Sequence, residues 1–333
     1  MDRLQHMEDH PMFPCRFPRI EAAKEIGAKA GRFWLLILFD MFLCTLLYHT
    51  CCTDYGEYEF YHMHHAQRKT YITQGINRRI VRLFNQREYS HWLENKIDFN
   101  ERFSSYLGRE WLNLYLASQE DFIAFVKNHP VFFAKPACGT GGNNVERIDA
   151  SACKDFYSLR QHLMARNQFL IEERIPQHTA LERLSPNCLN TLRLITFFDG
   201  SNVHLLRAVL RTGNGLEKDT LFSGGMYAFV DERGIVQSGA TDRTGNVWEK
   251  HPLTGLAFPG FRVPDFSKAL QMVFQAAREI PQLRYTGWDV AITPNGPVLL
   301  EADPSTAAFQ LKASHYPGRI CGDLPTYRLY MKI

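Results

Sequence analysis

The order of apolar and polar positions divides the chain near residue 95 into a helical part and a part rich in strands. Residues 31–93 are predicted to be mostly helical, with basic and apolar residues at helical spacing over Arg78–Phe84, and a later helix over Ser267–Glu279 has one apolar face. Short apolar runs between glycine turns predict strands at Val131–Ala134, Gln168–Ile171, Leu192–Phe198, Val203–Leu210, Met226–Val230, Trp288–Thr293 and Val298–Leu300. We therefore expect an α+β fold with a helical N-terminal region and mostly antiparallel strands.

The most apolar segment is Phe33–Tyr48, in which Asp40 and Thr45 are the exceptions. It is shorter than the ~20 residues that a bilayer-spanning helix needs. Asp40, at its middle, would also be unfavourable in lipid. We interpret the segment as a buried helix at a lobe interface, with membrane contact as the disfavoured alternative. Residues 1–30 are polar and contain three prolines, and we expect them to form a flexible arm.

The composition is that of an ordinary globular protein, with 333 residues, 45% hydrophobic content and a formal net charge of +3. This length predicts two or three lobes. No basic run stands out, so we do not expect nucleic acid as a partner, whereas small anions are compatible with the charge. The eight cysteines form no C-x-x-C pair, which indicates free thiols and a cytoplasmic location.

Two apolar strands near the C-terminus flank the loop Pro294–Gly296 and predict a hairpin. A three-residue loop would pair Thr293 with Pro297. Counting back from that pair places Asp289 opposite Glu301, on the same face of the sheet.

This hairpin is a candidate metal site because Asp303, two residues beyond Glu301, lies on the same face as Glu301 and Asp289. Three carboxylates on a largely apolar hairpin are costly unless a cation neutralises them. Mg²⁺ prefers such oxygen ligands and leaves positions free for phosphates. The alternative is a surface hairpin with exposed acids, although the apolar neighbours favour burial.

A second candidate site is the stretch VFFAKPACGTGGNNV at Val131–Val145. A strand ends at Lys135, and Gly139, Gly141 and Gly142 follow it. Glycines allow backbone amides to approach a polyphosphate, and the lysine adds a positive charge. The spacing differs from the P-loop motif, and the alternative is an ordinary flexible turn. Lys96, just before an amphipathic segment, is not distinctive by itself.

The stretch FLIEERIPQH at Phe169–His178 is a third candidate, because an apolar strand ends in Glu172 and Glu173. Such a strand end, followed by Ile175 in an extended segment, can offer backbone groups and a carboxylate to an adenine edge and a ribose. A solvent-exposed strand end is the alternative.

Two arginines, Arg207 and Arg211, share one face of a predicted strand with apolar residues. Such arginines usually pair with a defined anion, which here is either a substrate or a structural acid such as Asp242 or Glu301. His251 lies in a loop rich in glycine and proline. It is either a substrate contact or a solvated loop histidine.

In this order the motifs resemble the ATP-grasp superfamily, and more specifically its sugar-transfer-associated family. The matching stretches are DYGEYEFY at Asp54–Tyr61, YIT at Tyr71–Thr73, NK at Asn95–Lys96, KPACGTGG at Lys135–Gly142, EERIPQH at Glu172–His178, NTLRLITF at Asn190–Phe197, SGG at Ser223–Gly225, HPLTG at His251–Gly255 and GWDVAITPNGPVLLEAD at Gly287–Asp303. The resemblance extends from about residue 31 to residue 310.

The resemblance implies an ATP-grasp fold, in which two α+β lobes enclose ATP beneath a glycine-rich flap. On that basis the chain divides into a flexible arm (1–30), a helical region (31–94), a small lobe with the flap (95–170) and a large lobe with the metal site (171–333).

The resemblance also implies a role for each matched residue. The hairpin acids would bind Mg²⁺, and Arg207, Arg211 and His251 stay candidate substrate contacts. The implied catalytic residues are Lys135, Asn190 and Arg193, the last two facing the phosphoryl group or the acyl substrate. The residues implied to hold ATP are the lysines, loop glycines and strand-end residues Lys96, Lys135, Gly139, Gly141, Gly142, Glu172, Glu173 and Ile175.

Five residues, at three places in the chain, depart from the family pattern. Asp303 stands where the metal motif usually ends in asparagine, which adds a negative charge. Asn143 and Asn144 follow the flap glycines where glycine and lysine are usual, so a cationic phosphate contact is lost. Lys218 and Asp219 occupy places that often hold aspartate and asparagine.

The function implied is that of an ATP- and Mg²⁺-dependent ligase that joins a carboxylate to an amine through an acyl phosphate. Its expected partners are small-molecule carboxylates and amines, for instance a sugar acid and an amino acid in polysaccharide or cell-surface glycan assembly. The alternatives are a phosphotransferase on the same scaffold and a non-catalytic ATP-binding protein.

Overall fold

The computed structural model describes residues 19–139, 144–214, 224–242, 245–306, 309–310 and 321–333. Along these residues the α-helices are α1 (Ile20–Ala30), α2 (Trp34–Tyr48), α3 (Cys52–Glu57), α4 (His65–Arg68), α5 (Gln74–Phe84), α6 (His91–Glu94), α7 (Lys96–Arg102), α8 (Gln119–Asn128), α9 (Phe156–Ala165), α10 (Thr179–Leu184), α11 (Phe266–Glu279) and α12 (Leu324–Arg328). The strands are β1 (Trp111–Asn113), β2 (Val131–Lys135), β3 (Glu146–Asp149), β4 (Leu170–Glu173), β5 (Thr191–Phe198), β6 (Val203–Thr212), β7 (Met226–Val230), β8 (Ala240–Asp242), β9 (Val247–Trp248), β10 (Tyr285–Thr293) and β11 (Gly296–Asp303).

The chain forms two compact units. The first comprises Met1–Leu83 and Ala307–Ile333, and its described part is helical. The second, Phe84–Thr306, contains all the described strands. Helix α1 begins at Ile20, so the prediction of a flexible arm is wrong for the end of residues 1–30.

Helix α2 is only half buried, which contradicts the expectation of a buried helix. Ile37, Met41, Cys44 and Tyr48 recur at helical spacing and pack into the aromatic core of the first unit. An almost wholly apolar helix is typical of an interior position. In this unit, however, one row of side chains is enough to attach the helix, and the other side stays exposed.

A small sheet opens the strand-rich unit, with strand order β1-β4-β2-β3 and antiparallel pairing throughout. Helices α8 and α9 pack on one face through Phe122 and Leu163, which meet Phe132 and Ile171 of the sheet. Because β4 belongs to this sheet, the predicted division of the lobes after residue 170 falls inside a strand.

A larger antiparallel sheet follows, with strand order β11-β10-β5-β6-β7-β8-β9. Its residues alternate between two faces. Trp288, Val290 and Ile292 point to the face covered by α11 and form the main core with Val273 of that helix. The predicted strands and the predicted helix are confirmed to within a few residues, and Met226–Val230 matches at both ends.

The register of the β10–β11 hairpin differs from the prediction in its turn. Thr293 pairs with Gly296, not with Pro297, so the loop has two residues instead of three. A bulge at Leu300 then shifts the register by one residue. The shift restores the predicted pairing of Asp289 with Glu301, which is confirmed.

Candidate functional site

The face of the larger sheet that points away from α11 carries charged side chains from adjacent strands. Asp289 of β10 pairs with Arg193 of β5 on one side and with Glu301 of β11 on the other. Cross-strand partners share a face, and Asp303 and Arg211 lie on the same one. The sheet therefore gathers acids and arginines on a single side.

Asp289 is the centre of this charged group. Its side chain is buried, with Nη1 of Arg211 3.0 Å from Oδ2 and Nη1 of Arg193 3.3 Å from Oδ1. Nη2 of Arg193 also lies 3.6 Å from Oδ2 of Asp303. A buried carboxylate needs such partners. The acid that Arg211 is seen to contact is thus Asp289, which the sequence had not suggested as its partner.

The oxygen donors on this face fit a hard divalent cation in kind. Oδ1 of Asp289 is buried and accepts no hydrogen bond from the described residues, and Glu301 is 45% exposed. In the part of the chain that the structure describes, no three acidic, histidine or cysteine side chains are gathered closely enough to hold a metal ion. Arg193 pairs with both Asp289 and Asp303, so these two acids already share a cation in this structure.

Lys96 connects this face with the loop that follows β2. It begins α7, where Asn95 caps the helix by accepting the N–H groups of Ile97 and Asp98. The backbone N–H of Lys96 donates to the Ala137 carbonyl, and its Nζ donates to the Gly139 carbonyl, at 2.7 Å each.

The same ammonium lies 3.7 Å from Oε2 of Glu301. Lys96 thus stands between the hairpin acid and the beginning of the glycine segment. Gly139 has a positive φ of 136°, a conformation that favours glycine. Gly141 and Gly142 lie outside the described residues.

Lys135 at the end of β2 pairs with the buried Glu172 of β4. The other oxygen of Glu172 accepts from Arg109 and from Asn100, both at 2.8 Å. Burial by itself would raise the pKa of Glu172. The charges of Arg109 and Lys135, with the hydrogen bonds, outweigh burial and hold that pKa well below its usual range.

Arg109 was not identified from the sequence, although it joins the two sheets. Besides Glu172, it donates to the Leu299 carbonyl at 2.6 Å, next to the bulge that places Glu301. No local pattern marks this arginine. Asn100 could have been predicted to lie near the site, because it lies one helical turn after Lys96 and therefore on the same side of α7.

The side chains of Glu172 and Glu173 point to opposite faces of the small sheet, because they are consecutive residues of β4. Oε2 of Glu173 accepts the backbone N–H of Glu110 at 3.0 Å, so its side chain fastens β4 to the start of β1. Ile175 is half buried in the segment that leaves β4. The strand end therefore directs one of its two acids towards Lys135.

Asn190 lies in the interior and not in an open site. It is fully buried, and its Nδ2 donates to Oε1 of Gln177 at 2.8 Å and to the Ser185 carbonyl at 2.9 Å. These bonds hold the loop between α10 and β5. Asn190 was predicted to be catalytic, but the contacts seen in the structure stabilise a buried loop.

His251 is also buried, which neither of its two sequence interpretations anticipated. Its Nε2–H donates to the Gly213 carbonyl at 2.9 Å, and its Nδ1 accepts the N–H of Leu253 at 3.3 Å. Burial lowers the pKa of the ring. With both nitrogens engaged, His251 fixes its loop and has no free atom for a substrate in this structure.

Arg207 lies on the charged face of the sheet, four residues before Arg211. Its guanidinium carbon is 5.1 Å from the centre of the Phe229 ring, within the range of a cation–π contact. The two arginines therefore extend the charged face from Asp289 across β6.

A model of the sugar-transfer associated ATP-grasp family matches residues 75–314. The match begins later than the resemblance expected from about residue 31, so it leaves out the first four helices. A search of curated proteins finds no match.

Several solved structures are similar to this chain at low identity. The ATP-grasp ligase PsnB complexed with its minimal precursor is 15% identical, with a TM-score of 0.41, over 76% of this chain and 65% of the PsnB chain. The D-cycloserine synthetase DcsG is 14% identical, with a TM-score of 0.41, over 74% of each chain. An L-amino acid ligase from Bacillus licheniformis is 13% identical, with a TM-score of 0.40, over 70% of this chain and 46% of that chain.

Proposed function

The chain belongs to the sugar-transfer associated ATP-grasp family, and from this premise we propose that it is an ATP-dependent ligase that joins a carboxylate to an amine. The position of Lys96 carries the proposal. Its ammonium touches the Gly139 carbonyl, at the start of the glycine segment, and lies 3.7 Å from Glu301 of the carboxylate hairpin. One cation thus adjoins both the loop expected to cover the phosphates and the acids expected to hold the metal.

In this proposal Lys96 and Lys135 bind the phosphates of ATP. Their side chains are 15% and 20% exposed, so each is partly covered and still accessible. The ion pair with Glu172 positions the ammonium of Lys135 at the end of β2. The flap role of Gly139, Gly141 and Gly142 stays a prediction, because two of the three lie outside the described residues.

Adenine and ribose would lie beside the end of β4. Glu172, Glu173 and Ile175 would contribute there, mainly through backbone groups, because the carboxylates of both glutamates already accept hydrogen bonds. The segment after β4 supports this assignment, since residues 174–178 lie outside helices and strands and can offer backbone groups to a ligand.

The acids Asp289, Glu301 and Asp303 would supply oxygens to Mg²⁺ together with the phosphates of ATP, since in the described structure the three side chains are not gathered closely enough to hold the ion by themselves. The ion would neutralise charge on the phosphate oxygens. Arg193 and Arg211 fix Asp289 on the sheet through their ion pairs. Because Arg193 is next to the acids, its guanidinium is placed to stabilise negative charge that develops on a phosphoryl or acyl group nearby.

In the proposed reaction, an oxygen of the substrate carboxylate attacks the γ-phosphorus of ATP, and ADP leaves with the electrons of the broken P–O bond. The amine nitrogen then attacks the acyl carbon and loses a proton, and inorganic phosphate leaves. The family's association with sugar transfer supports a sugar acid and an amino acid as the substrates, in glycan assembly in the cytoplasm.

Release of ADP tests this proposal. Purified protein would be given Mg-ATP with pooled sugar acids and pooled amino acids, and ADP and phosphate would be measured separately. We expect ADP release that requires both pools, and its loss in Lys135→Ala and Glu301→Ala. The control variants Lys268→Ala and Glu232→Ala change exposed residues of the same types elsewhere.

Two outcomes would contradict the ligase. A stable phosphorylated acid, with no phosphate released when amines are added, would indicate a phosphotransferase. Tight Mg-ATP binding without turnover in any pool would indicate a non-catalytic protein.

A further inference from the structure

Helix α2 leaves a continuous apolar surface on the first unit, which we call the α2 stripe. Its members are 36–66% exposed and comprise Phe33, Leu35, Leu36, Phe39, Phe42, Leu43, Leu46 and Leu47. They recur at helical spacing on the side opposite the buried row. Every member of the stripe is apolar, and the partly exposed Asp40 lies beside it.

The single acid of α2, Asp40, is paired within the first unit, and its side chain is 28% exposed. Both oxygens of Asp40 pair with Arg68, at 2.7 and 2.8 Å, and one also accepts the hydroxyl of Tyr55 at 2.6 Å. Its charge is neutralised within the first unit. The ion pair with Arg68 therefore lowers the cost that Asp40 would have next to lipid.

Basic residues surround the beginning of the stripe. Gly31 ends α1 with a φ of 63°, and the chain turns into α2 at an angle of 115° between the helices. Lys29 and Arg32 are exposed at this corner, directly before Phe33. Across the corner and α1, the exposed bases Arg19, Lys24, Lys29 and Arg32 outnumber the exposed acids Glu21 and Glu25.

We propose that the α2 stripe binds the surface of an anionic membrane, with α2 lying in the plane of the interface. Binding of a helix to a membrane surface strengthens with the apolar area it buries and with attraction to anionic lipids, and the stripe and its basic corner supply one each. Protein interfaces, in contrast, carry polar groups through about two fifths of their area. The basic corner would face the anionic headgroups.

The length of the helix favours this orientation over a span. The 15 residues of α2 extend about 22 Å, which is less than the ~30 Å hydrocarbon core. Among the described residues no single helix is long and apolar enough to cross a membrane, and only α1 and α2 together, bent against each other, reach the necessary length and apolar content. The inference is independent of ATP binding.

Sedimentation with vesicles tests the inference. The full chain would be mixed with vesicles of phosphatidylcholine alone and with vesicles of phosphatidylcholine and phosphatidylglycerol in equal amounts. We expect binding to the anionic vesicles, weakened at least about tenfold in the double variant Phe39→Glu/Leu46→Glu. Leu116→Glu places the same charge on another exposed leucine and should bind as the native chain does.

The basic corner gives a second measurement on the same vesicles. In Lys29→Gln/Arg32→Gln we expect binding to fall by about fivefold for each base removed, because each adds attraction to anionic headgroups. Circular dichroism would establish that every variant keeps its helices.

Three results would overturn the inference. They are a native chain that sediments with neither vesicle, a Phe39→Glu/Leu46→Glu variant that binds as tightly as the native chain, and a native dimer in solution that this variant turns into a monomer. The last result would assign the stripe to a second copy of the chain.

Discussion

Glu172 has both of its carboxylate oxygens occupied by donors from separate elements. Lys135 was predicted because it ends an apolar strand, and Glu172 because it does the same. Arg109 could not be predicted, since it lies 63 residues from Glu172 and no local pattern distinguishes it. Sequence reasoning thus singled out both residues of one ion pair, without predicting that they pair, and missed the arginine that completes the network.

Replacing Arg109 with methionine should strongly destabilise the second unit. The variant keeps much of the side-chain length but leaves Glu172 buried with one cation instead of two. We expect the free energy of unfolding to fall by about 3–5 kcal/mol in urea denaturation. Glu172→Gln added to Arg109→Met should recover part of this loss.

Arg278→Met is the control for this prediction, because Arg278 is an exposed arginine of α11. It should change the free energy by less than about 0.5 kcal/mol. A loss in Arg109→Met no larger than that of the control would contradict the assigned network.

His251 predicts a pH dependence of stability. Its pKa in the folded chain is lowered by burial, whereas in the unfolded chain it is about 6.5. Below that pH the unfolded chain binds a proton that the folded chain does not, so stability falls as pH decreases, by at most about 1.4 kcal/mol per unit. In urea denaturation between pH 5 and 7, His251→Gln should show a shallower slope than the native chain. Equal slopes would contradict this account.

The β10–β11 hairpin shows, at the scale of elements, what an apolar pattern can and cannot predict. Its two strands and the pairing of Asp289 with Glu301 were predicted correctly. The turn was wrong by one residue, and the bulge at Leu300 cancelled the error at the site. A pattern of alternating residues does not show a bulge, because a bulge depends on the neighbouring elements.

The prediction that helix α2 is buried was wrong for a different reason. Its pattern is apolar nearly all round, and such a pattern does not show which side will find a partner. The direction of Asp40 towards Arg68 was needed to decide which side faces the first unit.

Alanine substitutions at two glycines, Gly108 and Gly200, test how closely the segment before Arg109 approaches β11. Gly108 and Gly200 both have positive φ, at 56° and 109°. A Cβ at Gly108 would overlap Cγ1 of Val298, whereas a Cβ at Gly200 would meet open space. Gly200→Ala should cost about 1–2 kcal/mol from backbone strain, and Gly108→Ala about 1–3 kcal/mol more from overpacking. Equal losses in thermal or urea denaturation would contradict the close approach.

At the scale of the whole molecule, the predicted α+β fold with a helical N-terminal region is confirmed, as is the family. The division into units was not predicted. The C-terminal segment returns to the first unit, where the side chain of Gln310 makes two hydrogen bonds to the backbone of Ile72. Contacts over 238 residues leave no trace in local periodicity.

The proposed site requires that metal and nucleotide meet at Glu301, and a calorimetric titration measures this directly. A non-hydrolysable ATP analogue would be titrated into the native chain and into Glu301→Gln, with and without Mg²⁺. We predict that Mg²⁺ tightens binding at least about tenfold in the native chain and that most of this gain is lost in the variant. An affinity for the analogue that Mg²⁺ leaves unchanged in the native chain would contradict the account, as would the same gain in both proteins.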